Sequence, residues 1–206
     1  MNNVIELKNV SKDYGDFKLD SVNLSVPQGC IYGFIGQNGA GKTTTIQLIL
    51  DIIKRDSGDI KVVAMSHNAK LLIMDEPTSG LDPIVRNEIL DIFQEFVVDE
   101  EHTILLSSHI TADLERIADM VAFIDHGKII LNGDKNEIIE NHGLVKCKEE
   151  DIAKFDKDDI VSIKKSSFNT EILVSNRQKY IEKYTDLTIE QTSIENIMLF
   201  YASRNI

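Results

Sequence analysis

One stretch constrains this chain more than any other: residues 36–43, which read GQNGAGKT. They match the phosphate-loop pattern G-x-x-x-x-G-K-[ST] at every fixed position. The apolar segment 31–35 before the loop predicts a buried strand, and segment 44–50 after it predicts a helix. A glycine loop in that position can turn its backbone N–H groups, and the positive end of a helix, toward phosphate.

The loop also predicts individual contacts. Lys42 can reach the β- and γ-phosphates of a nucleotide, and the hydroxyl of Thr43 can ligate magnesium. The alternative is a glycine-rich turn that binds nothing, and the flanking strand and helix argue against it. The predicted phosphate-binding residues are Gly36, Asn38, Gly39, Ala40, Gly41, Lys42, Thr43 and Thr44.

A second feature is an apolar run, 71–74, that leads directly into Asp75 and Glu76. It predicts a central parallel strand with carboxylates at its C-terminal end, where open α/β sheets bind ligands. Asp75 fits the acid that holds magnesium in a phosphate-loop NTPase, and Glu76 fits a general base for an attacking water. The alternative is a strand that simply ends in polar residues.

His109 follows the apolar strand predicted at 103–106, so we expect it at the same sheet edge as Asp75 and Glu76. A lone histidine after a strand is usually structural, but at this edge it could donate a hydrogen bond to the γ-phosphate. Between these strands, Asp82 is a predicted N-cap and Pro83 a predicted first residue of a helix. The helix is expected to bury a stripe and to expose Arg86 and Glu95; the predicted stripe is Val85, Ile89, Ile92, Phe93 and Phe96.

The N-terminal segments 4–10 and 17–26 alternate apolar and polar residues and predict an antiparallel β layer. Tyr14 lies in the loop between them. It could be a surface tyrosine or a platform that stacks on a purine, and spacing alone does not choose between the two.

The predicted fold class is therefore α/β: a phosphate-loop NTPase (RecA-like) core with an N-terminal antiparallel β subdomain and a small α+β C-terminal extension. The predicted domains are 1–143 and 144–206. In the extension we expect strands at 161–163 and 171–174 and helices at 177–184 and 193–202, without a chemical constellation.

The composition limits the kinds of partner and the location that we expect for this protein. The formal net charge of −12 argues against a nucleic-acid partner, because phosphate backbones require basic surface. The sequence has no apolar run long enough to span a bilayer and no signal-peptide layout at its start, so we expect a cytosolic location. Cys30 and Cys147 have no metal-ligand spacing, and Cys30 is expected in or near the core.

Taken together, residues 1 to about 140 resemble the ATP-binding subunits of ABC transporters. The resemblance is carried by the loop 36–43, the strand 71–76, the string Ser79-Gly80-Leu81-Asp82, and by His109 and Tyr14. It implies an ATPase with ATP and Mg²⁺ as cofactors. It further implies that Tyr14 stacks on adenine, that Glu76 is the base for hydrolysis and that His109 contacts the γ-phosphate.

The resemblance also implies partners. Ser79, Gly80 and Asp82 would lie at a head-to-tail interface with a second nucleotide-binding subunit, and an integral-membrane permease subunit would carry the substrate. The protein would then be cytoplasmic and peripheral on the inner face of the cell membrane. Segment 193–201 is similar to the C-terminal extension of bacterial exporter ATPases, which move peptides, toxins or antibiotics.

The sequence departs from that family between the loop and the acidic strand. The family has a helical subdomain there, with a glutamine on a flexible loop and the signature Leu-Ser-Gly-Gly-Gln. Here only about thirty residues separate Lys42 from Asp75, which leaves space for one helix and a short strand. Our hypothesis is that the sequence joins two segments across missing residues near 62–64.

Three functions compete. The first is the ATPase subunit of an exporter, and the second is a non-catalytic ATP-binding module, because the signature and the glutamine loop are absent. The third is a chromosome-maintenance or repair ATPase with a divided nucleotide-binding domain. The third is disfavoured, since such proteins keep the signature and since this chain is acidic.

Overall fold

The computed structural model describes residues 2–63, 70–165, 170–184 and 187–204. The chain forms two compact units, residues 1–133 and 134–206. The sequence-based boundary at 143 lies later, so the helix that begins after Asp134 falls in the second unit instead of the first.

The first unit contains eight strands and three helices among its described residues. The strands are β1 (Asn3–Asp13), β2 (Lys18–Pro27), β3 (Ile31–Ile35), β4 (Ser57–Val62), β5 (Leu71–Asp75), β6 (Thr103–Ser108), β7 (Met120–Asp125) and β8 (Lys128–Asp134). The helices are α1 (Lys42–Ile49), α2 (Pro83–Phe96) and α3 (Thr111–Ile117).

Two sheets build this unit. The strands β2, β1 and β4 form an antiparallel sheet in that order, as the alternating pattern predicts. The second sheet has the order β5-β6-β3-β7-β8, in which β5, β6, β3 and β7 run parallel. Buried side chains of both sheets and of α1 belong to one core, which includes Leu7, Leu24, Phe34, Leu48 and Leu105. The α/β prediction is confirmed.

The parallel sheet brings three predicted segments to one edge. Because β5, β6 and β3 are parallel neighbours, the residues that follow them leave the sheet at the same end. At that end lie the loop 36–43, the pair Asp75–Glu76, of which Asp75 is the last residue of β5, and His109. One expectation is wrong: β5 is not central but lies at the end of the described sheet, paired there with β6 alone, and its apolar residues are only partly buried.

The stripe predicted for α2 is also partly wrong. Leu90 and Phe93 are the buried residues of this helix, whereas Ile92 is 58% exposed. Arg86 is not on the solvated side: it lies toward α3, with its Nε 4.0 Å from the buried Asp113 carboxylate. Because α2 packs against α3, the face of α2 that is buried differs from the face that residue spacing alone predicts.

The helix α1 spans Lys42–Ile49, close to the predicted segment 44–50. Leu50 and Ile52, which follow the helix, are exposed. Cys30 is buried at the start of β3, as expected, and burial raises the pKa of its thiol to about 12. That thiol is therefore inert at neutral pH.

The second unit is an α+β arrangement. Its strands β9 (Gly143–Cys147), β10 (Ile160–Lys165), β11 (Thr170–Val174) and β12 (Ile189–Gln191) form an antiparallel sheet in the order β10-β11-β9-β12. Its helices are α4 (Lys135–Asn141), α5 (Arg177–Lys183) and α6 (Ile194–Ala202), and a 3₁₀ helix spans Glu149–Lys154. Residue spacing predicts β10, β11, α5 and α6, whereas it gave no signal for β9 and β12.

The predicted junction near 62–64 lies at the limit of what the structure describes. The strand β4 pairs with β1 up to Val62, and the N–H of Val63 donates to the carbonyl of Val4 at 2.9 Å. Ala64 and the residues up to 69 lie outside the described residues. Across the described helices, none is long and apolar enough to cross a bilayer.

Candidate functional site

Glycine is required at two positions of the loop. A Cβ on Gly36 would lie 2.6 Å from the carbonyl oxygen of Ile124 in β7, closer than real Cβ contacts allow. Gly41 has φ +114°, and a Cβ there would lie 3.0 Å from the ring of Phe17. These residues let the loop fold tightly between β3 and α1, with Gly41 at the N-cap of α1.

Lys42 points back into the curve of the loop. Its side chain is 5% exposed, and its Nζ donates to the carbonyl oxygens of Gly36 at 2.7 Å and Gln37 at 3.2 Å. The same ammonium lies 3.0 Å from Oε1 of Glu76, an ion pair whose alignment is not that of a hydrogen bond. A positive charge is therefore held inside the loop.

Asp75 joins the loop to two strands. Its Oδ2 accepts from the hydroxyl of Thr43 at 2.7 Å, and its Oδ1 accepts a short hydrogen bond from the hydroxyl of Ser107. Asp75 and Ser107 are register partners in the pairing of β5 with β6. Ser107 was missed by sequence reasoning, although its place near the end of a parallel strand was the available signal.

Glu76 occupies an unusual backbone conformation. Its φ of +52° lies in the left-handed region, which costs a residue with a side chain about 1–3 kcal/mol and clusters at functional sites. Its N–H donates to both the carbonyl and the hydroxyl oxygen of Ser107, each at 3.1 Å, which holds that conformation.

The Glu76 carboxylate lies between two predicted residues. Its Oε2 is 2.5 Å from Nδ1 of His109 and accepts from the His109 N–H at 3.3 Å, while its Oε1 faces Lys42. The imidazole donates when Nδ1 carries the proton. Thus Lys42, Thr43, Asp75, Glu76 and His109, predicted from separate segments, lie together.

A cavity of about 340 Å³ opens beside these groups. Its lining residues are Phe17, Asn38, Gly39, Gly41, Lys42, Thr43, Thr44 and Glu76. Ala40 lines a smaller cavity of about 150 Å³, which also touches Phe17 and the turn residues Asp125 and His126. Gly36 lines neither cavity and instead offers its carbonyl to Lys42.

Tyr14 lies outside the lining of both cavities. The residue is 52% exposed, and its ring centroid lies 5.6 Å from Nζ of Lys12. Its stacking on adenine stays a prediction. Phe17, three residues later, lines both cavities. Sequence reasoning missed Phe17, because an aromatic residue at the start of an alternating strand resembles a core residue.

The segment after Glu76 forms a turn. The N–H of Ser79 donates to the carbonyl of Glu76 at 3.1 Å, and Gly80 has φ +76°. Asp82 caps α2 by accepting from the N–H groups of Ile84 and Val85 at 3.0 and 3.2 Å, as predicted. The role of Ser79, Gly80 and Asp82 at a subunit interface stays a prediction.

The oxygen pair Thr43–Asp75 fits magnesium. Both donors are hard oxygens, 2.7 Å apart, and Thr43 lines the cavity. Magnesium is held in nucleotide sites by one or two protein oxygens, with phosphate and water completing the octahedron. Over the part of the chain that the structure describes, no group of three or more His, Cys, Asp or Glu residues could hold a metal ion, which is what a zinc centre would need.

The sequence is similar to known transport proteins. The family model described as ABC transporter matches residues 19–66. The bacitracin transport ATP-binding protein BcrA of Bacillus licheniformis is 27% identical over 63% of this chain and 69% of its own length. The lantibiotic transport ATP-binding protein SrtF of Streptococcus pyogenes is 28% identical over 62% of this chain and 90% of its own length.

Solved structures share the fold. The CbiO1 structure from Clostridium perfringens, described as part of the ABC transporter complex cbiONQ, covers 75% of this chain and 94% of its own. Its TM-score is 0.60 and its identity 18%. Another, described as the ATP-binding subunit of an ABC transporter, has a TM-score of 0.57 at 20% identity over 66% of this chain and 92% of its own.

The alignments also reveal a difference in length. The alignment with BcrA extends over 212 positions but covers only 63% of these 206 residues. Many aligned positions are therefore residues of the relative that have no counterpart here. This agrees with the expectation that a segment of the family is absent from the chain.

Proposed function

Because this chain carries an ABC transporter ATP-binding domain, we propose that it binds ATP with Mg²⁺ and acts as the ATPase subunit of an exporter. The substrate would be a peptide, toxin or antibiotic that crosses through a separate integral-membrane permease. This proposal draws on the relatives named for bacitracin and lantibiotic transport.

One observation carries the proposal: the cluster in which Thr43, Asp75, Ser107, Glu76 and His109 are linked by successive hydrogen bonds beside the phosphate loop. It joins the carboxyl ends of two parallel strands to the start of α1. A cluster of this kind places a metal-holding acid and a base next to bound phosphates, which is what hydrolysis of a nucleoside triphosphate requires.

Each residue then has a distinct role. The backbone N–H groups from Gly36 to Gly41 and the Lys42 ammonium would bind the phosphates. Thr43 and Asp75 would hold magnesium, which neutralises phosphate charge when bound. Glu76 would accept a proton from the attacking water, and His109 would orient the Glu76 carboxylate and donate to the γ-phosphate.

A second candidate is a non-catalytic ATP-binding module. It is favoured by the short connection between β4 and β5, which is only eight residues long. The sequence has no Leu-Ser-Gly-Gly-Gln signature with which one subunit could complete the site of a second copy. Under this alternative the chain binds ATP and does not turn it over.

Two measurements test these proposals. Titration calorimetry of the full chain with MgATP should give saturable binding, and no heat of binding would remove both candidates. Steady-state phosphate release by the full chain, assayed alone and with a co-purified membrane partner, separates them. Turnover supports the ATPase subunit, whereas binding without turnover under both conditions supports the non-catalytic module.

A further inference from the structure

We propose that Arg86 and Asp113 are positioning residues that hold His109 against the Glu76 carboxylate. Neither is among the lining residues of the 340 Å³ cavity, and both act through α2 and α3, the helices that follow Glu76 and His109. The role of Glu76 as a base rests on the proposed function, whereas the Glu76–His109 contact is a property of the chain itself.

Glu76 and His109 lie where two neighbouring strands lead into different helices. Glu76 continues through the turn 77–82 into α2, and His109 leads directly into α3. The register of β5 with β6 extends to Asp75 and Ser107, one and two residues before the contact. The His109 side chain is 40% exposed, so close packing does not lock its ring. The ring therefore depends on where α3 begins relative to the turn after Glu76.

The side chain of Arg86 reaches both of these segments. Its Nη2 donates to the carbonyl of Leu81 in the turn at 3.3 Å, and its Nε lies 4.0 Å from Oδ2 of Asp113 in the first turn of α3. A guanidinium presents its N–H donors in a rigid planar fork, so it can engage two partners at once. One side chain thus ties the turn that follows Glu76 to the helix that follows His109.

The ion pair of Arg86 and Asp113 is buried. The Asp113 side chain is only 6% exposed. Nε of Arg86 and Oδ2 of Asp113 are both buried and, within the part of the chain that the structure describes, neither makes a hydrogen bond. An apolar pair of similar volume often stabilises a fold as well as a buried ion pair does. Stability alone therefore does not account for two charges here, and a positional role does.

A second polar contact between the same helices serves as a comparison. Arg116 of α3 donates to Oδ1 of Asn87 at 2.7 Å and pairs with Asp91, on a more exposed surface. Both of these partners lie in α2, so this contact joins helix to helix. Exposed ion pairs contribute little to stability. Arg116 is therefore the matched control for Arg86.

The contact between His109 and Glu76 has a spectroscopic signature. Nδ1 must carry a proton to donate to Oε2 of Glu76, whereas a neutral imidazole that is free in water carries its proton mostly on Nε2. Nitrogen NMR spectra of the isotope-labelled chain distinguish the two forms without nucleotide. His109→Gln identifies the signals of this ring, and Glu76→Ala gives the spectrum of the broken contact.

The experiment records these spectra on the full chain at about pH 7.5, where a free imidazole is mostly neutral. We expect a proton on Nδ1 of His109 in the wild type and its loss in Asp113→Asn. The double variant Arg86→Met with Asp113→Leu should also lose it, and its apolar pair guards against a folding defect. Asp113→Glu, which keeps the carboxylate, and Arg116→Gln should retain the wild-type spectrum.

A second readout separates positioning from nucleotide binding. Asp113→Asn should bind MgATP with the affinity of the wild type, because the phosphate loop and the Thr43–Asp75 pair are unchanged. Its phosphate release should be at least about tenfold slower, because the base is no longer oriented. A variant that loses affinity and turnover together would contradict a role confined to Glu76 and His109.

Three spectra would overturn the assignment. They are a wild type without a proton on Nδ1 of His109, a double variant that retains it, and an Arg116→Gln variant that loses it as fully as Asp113→Asn does. The second would mean that packing alone places the ring. If the spectra are as expected but the wild type releases no phosphate, the positioning role stands and the proposed ATPase function falls.

Discussion

Nδ1 of His109 lies 2.5 Å from Oε2 of Glu76, although 33 positions separate the two residues along the chain. The parallel pairing of β5 with β6 creates this contact, because both residues follow the strand ends directly. Two partners therefore orient the Glu76 carboxylate: Lys42 lies at its Oε1 and His109 at its Oε2.

That relationship leads to a prediction for Glu76→Gln. The amide keeps the shape of the side chain but cannot act as a base, so MgATP binding should persist while turnover is lost. Glu88→Ala, an exposed acidic position on α2, is the matched control and should leave both properties unchanged. Wild-type phosphate release by Glu76→Gln, measured with the assembled transporter, would exclude Glu76 as the base.

Lys42→Ala should weaken MgATP binding at least about tenfold. The substitution removes a charge-assisted contact to phosphate of roughly 1.5–3 kcal/mol. Lys128→Ala removes an exposed lysine that pairs with Asp20 and should bind like the wild type. Calorimetric affinities that are equal for Lys42→Ala and the wild type would be incompatible with the phosphate-loop assignment.

The magnesium assignment predicts an effect of metal removal. Chelation of Mg²⁺ should weaken ATP binding to the wild type, because the metal links phosphate oxygens to Thr43 and Asp75. In Thr43→Val, which lacks the hydroxyl, the affinities for ATP with and without Mg²⁺ should differ less than they do in the wild type. Thr188→Val, at an exposed position of the second unit, retains the Thr43–Asp75 pair and should keep the full difference. An undiminished Mg²⁺ effect in Thr43→Val would argue against Thr43 as a ligand.

Asp82→Ala should destabilise the protein by about 1 kcal/mol, because two N–H groups at the start of α2 lose their acceptor. Asp82→Asn retains an acceptor and should remain within a few tenths of a kcal/mol of the wild type. Urea unfolding followed by circular dichroism measures both. If the alanine and asparagine variants are equally stable, the cap contributes nothing.

A pH effect is expected from His142 in the second unit. Burial lowers its pKa below the usual 6.5, and repulsion from the Arg204 guanidinium adds to this, while the contact of Nδ1 with the carbonyl of Ile138 opposes the shift. The unfolded chain then binds a proton at higher pH than the folded one. This contribution to stability is fully present above pH 6.5 and is lost as the pH falls toward the folded pKa.

The measurement compares urea midpoints at about pH 7.5 and about pH 5.5. The drop in midpoint should be smaller in His142→Gln than in the wild type, because the substituted side chain does not titrate. His126→Gln changes a histidine whose side chain is 91% exposed and should keep the wild-type drop. Identical drops in the wild type and His142→Gln would remove His142 as the source.

Local chemistry determined much of this site. The glycines and Lys42 of the loop, the acids after an apolar run, and the Asp82–Pro83 start of α2 are each specified within a few consecutive residues. Such signals depend on backbone geometry and capping, which neighbouring residues control. The sequence alone therefore indicated the α/β class and the residues that are expected to contact phosphate. It also predicted that Asp75, Glu76 and His109 meet at one edge of the sheet.

Tertiary structure decided what depends on distant partners. Three features depend on contacts between remote segments. They are the place of β5 at the end of the described sheet, the rotation of α2 that brings Arg86 toward Asp113, and the pairing of β9 with β12. The same holds for Phe17 and Tyr14, two aromatic residues near the start of β2: Phe17 lies against Gly41 of the loop, whereas Tyr14 is exposed beside Lys12. Residue type sets what a side chain can do, and packing against distant segments sets which side chain is in reach.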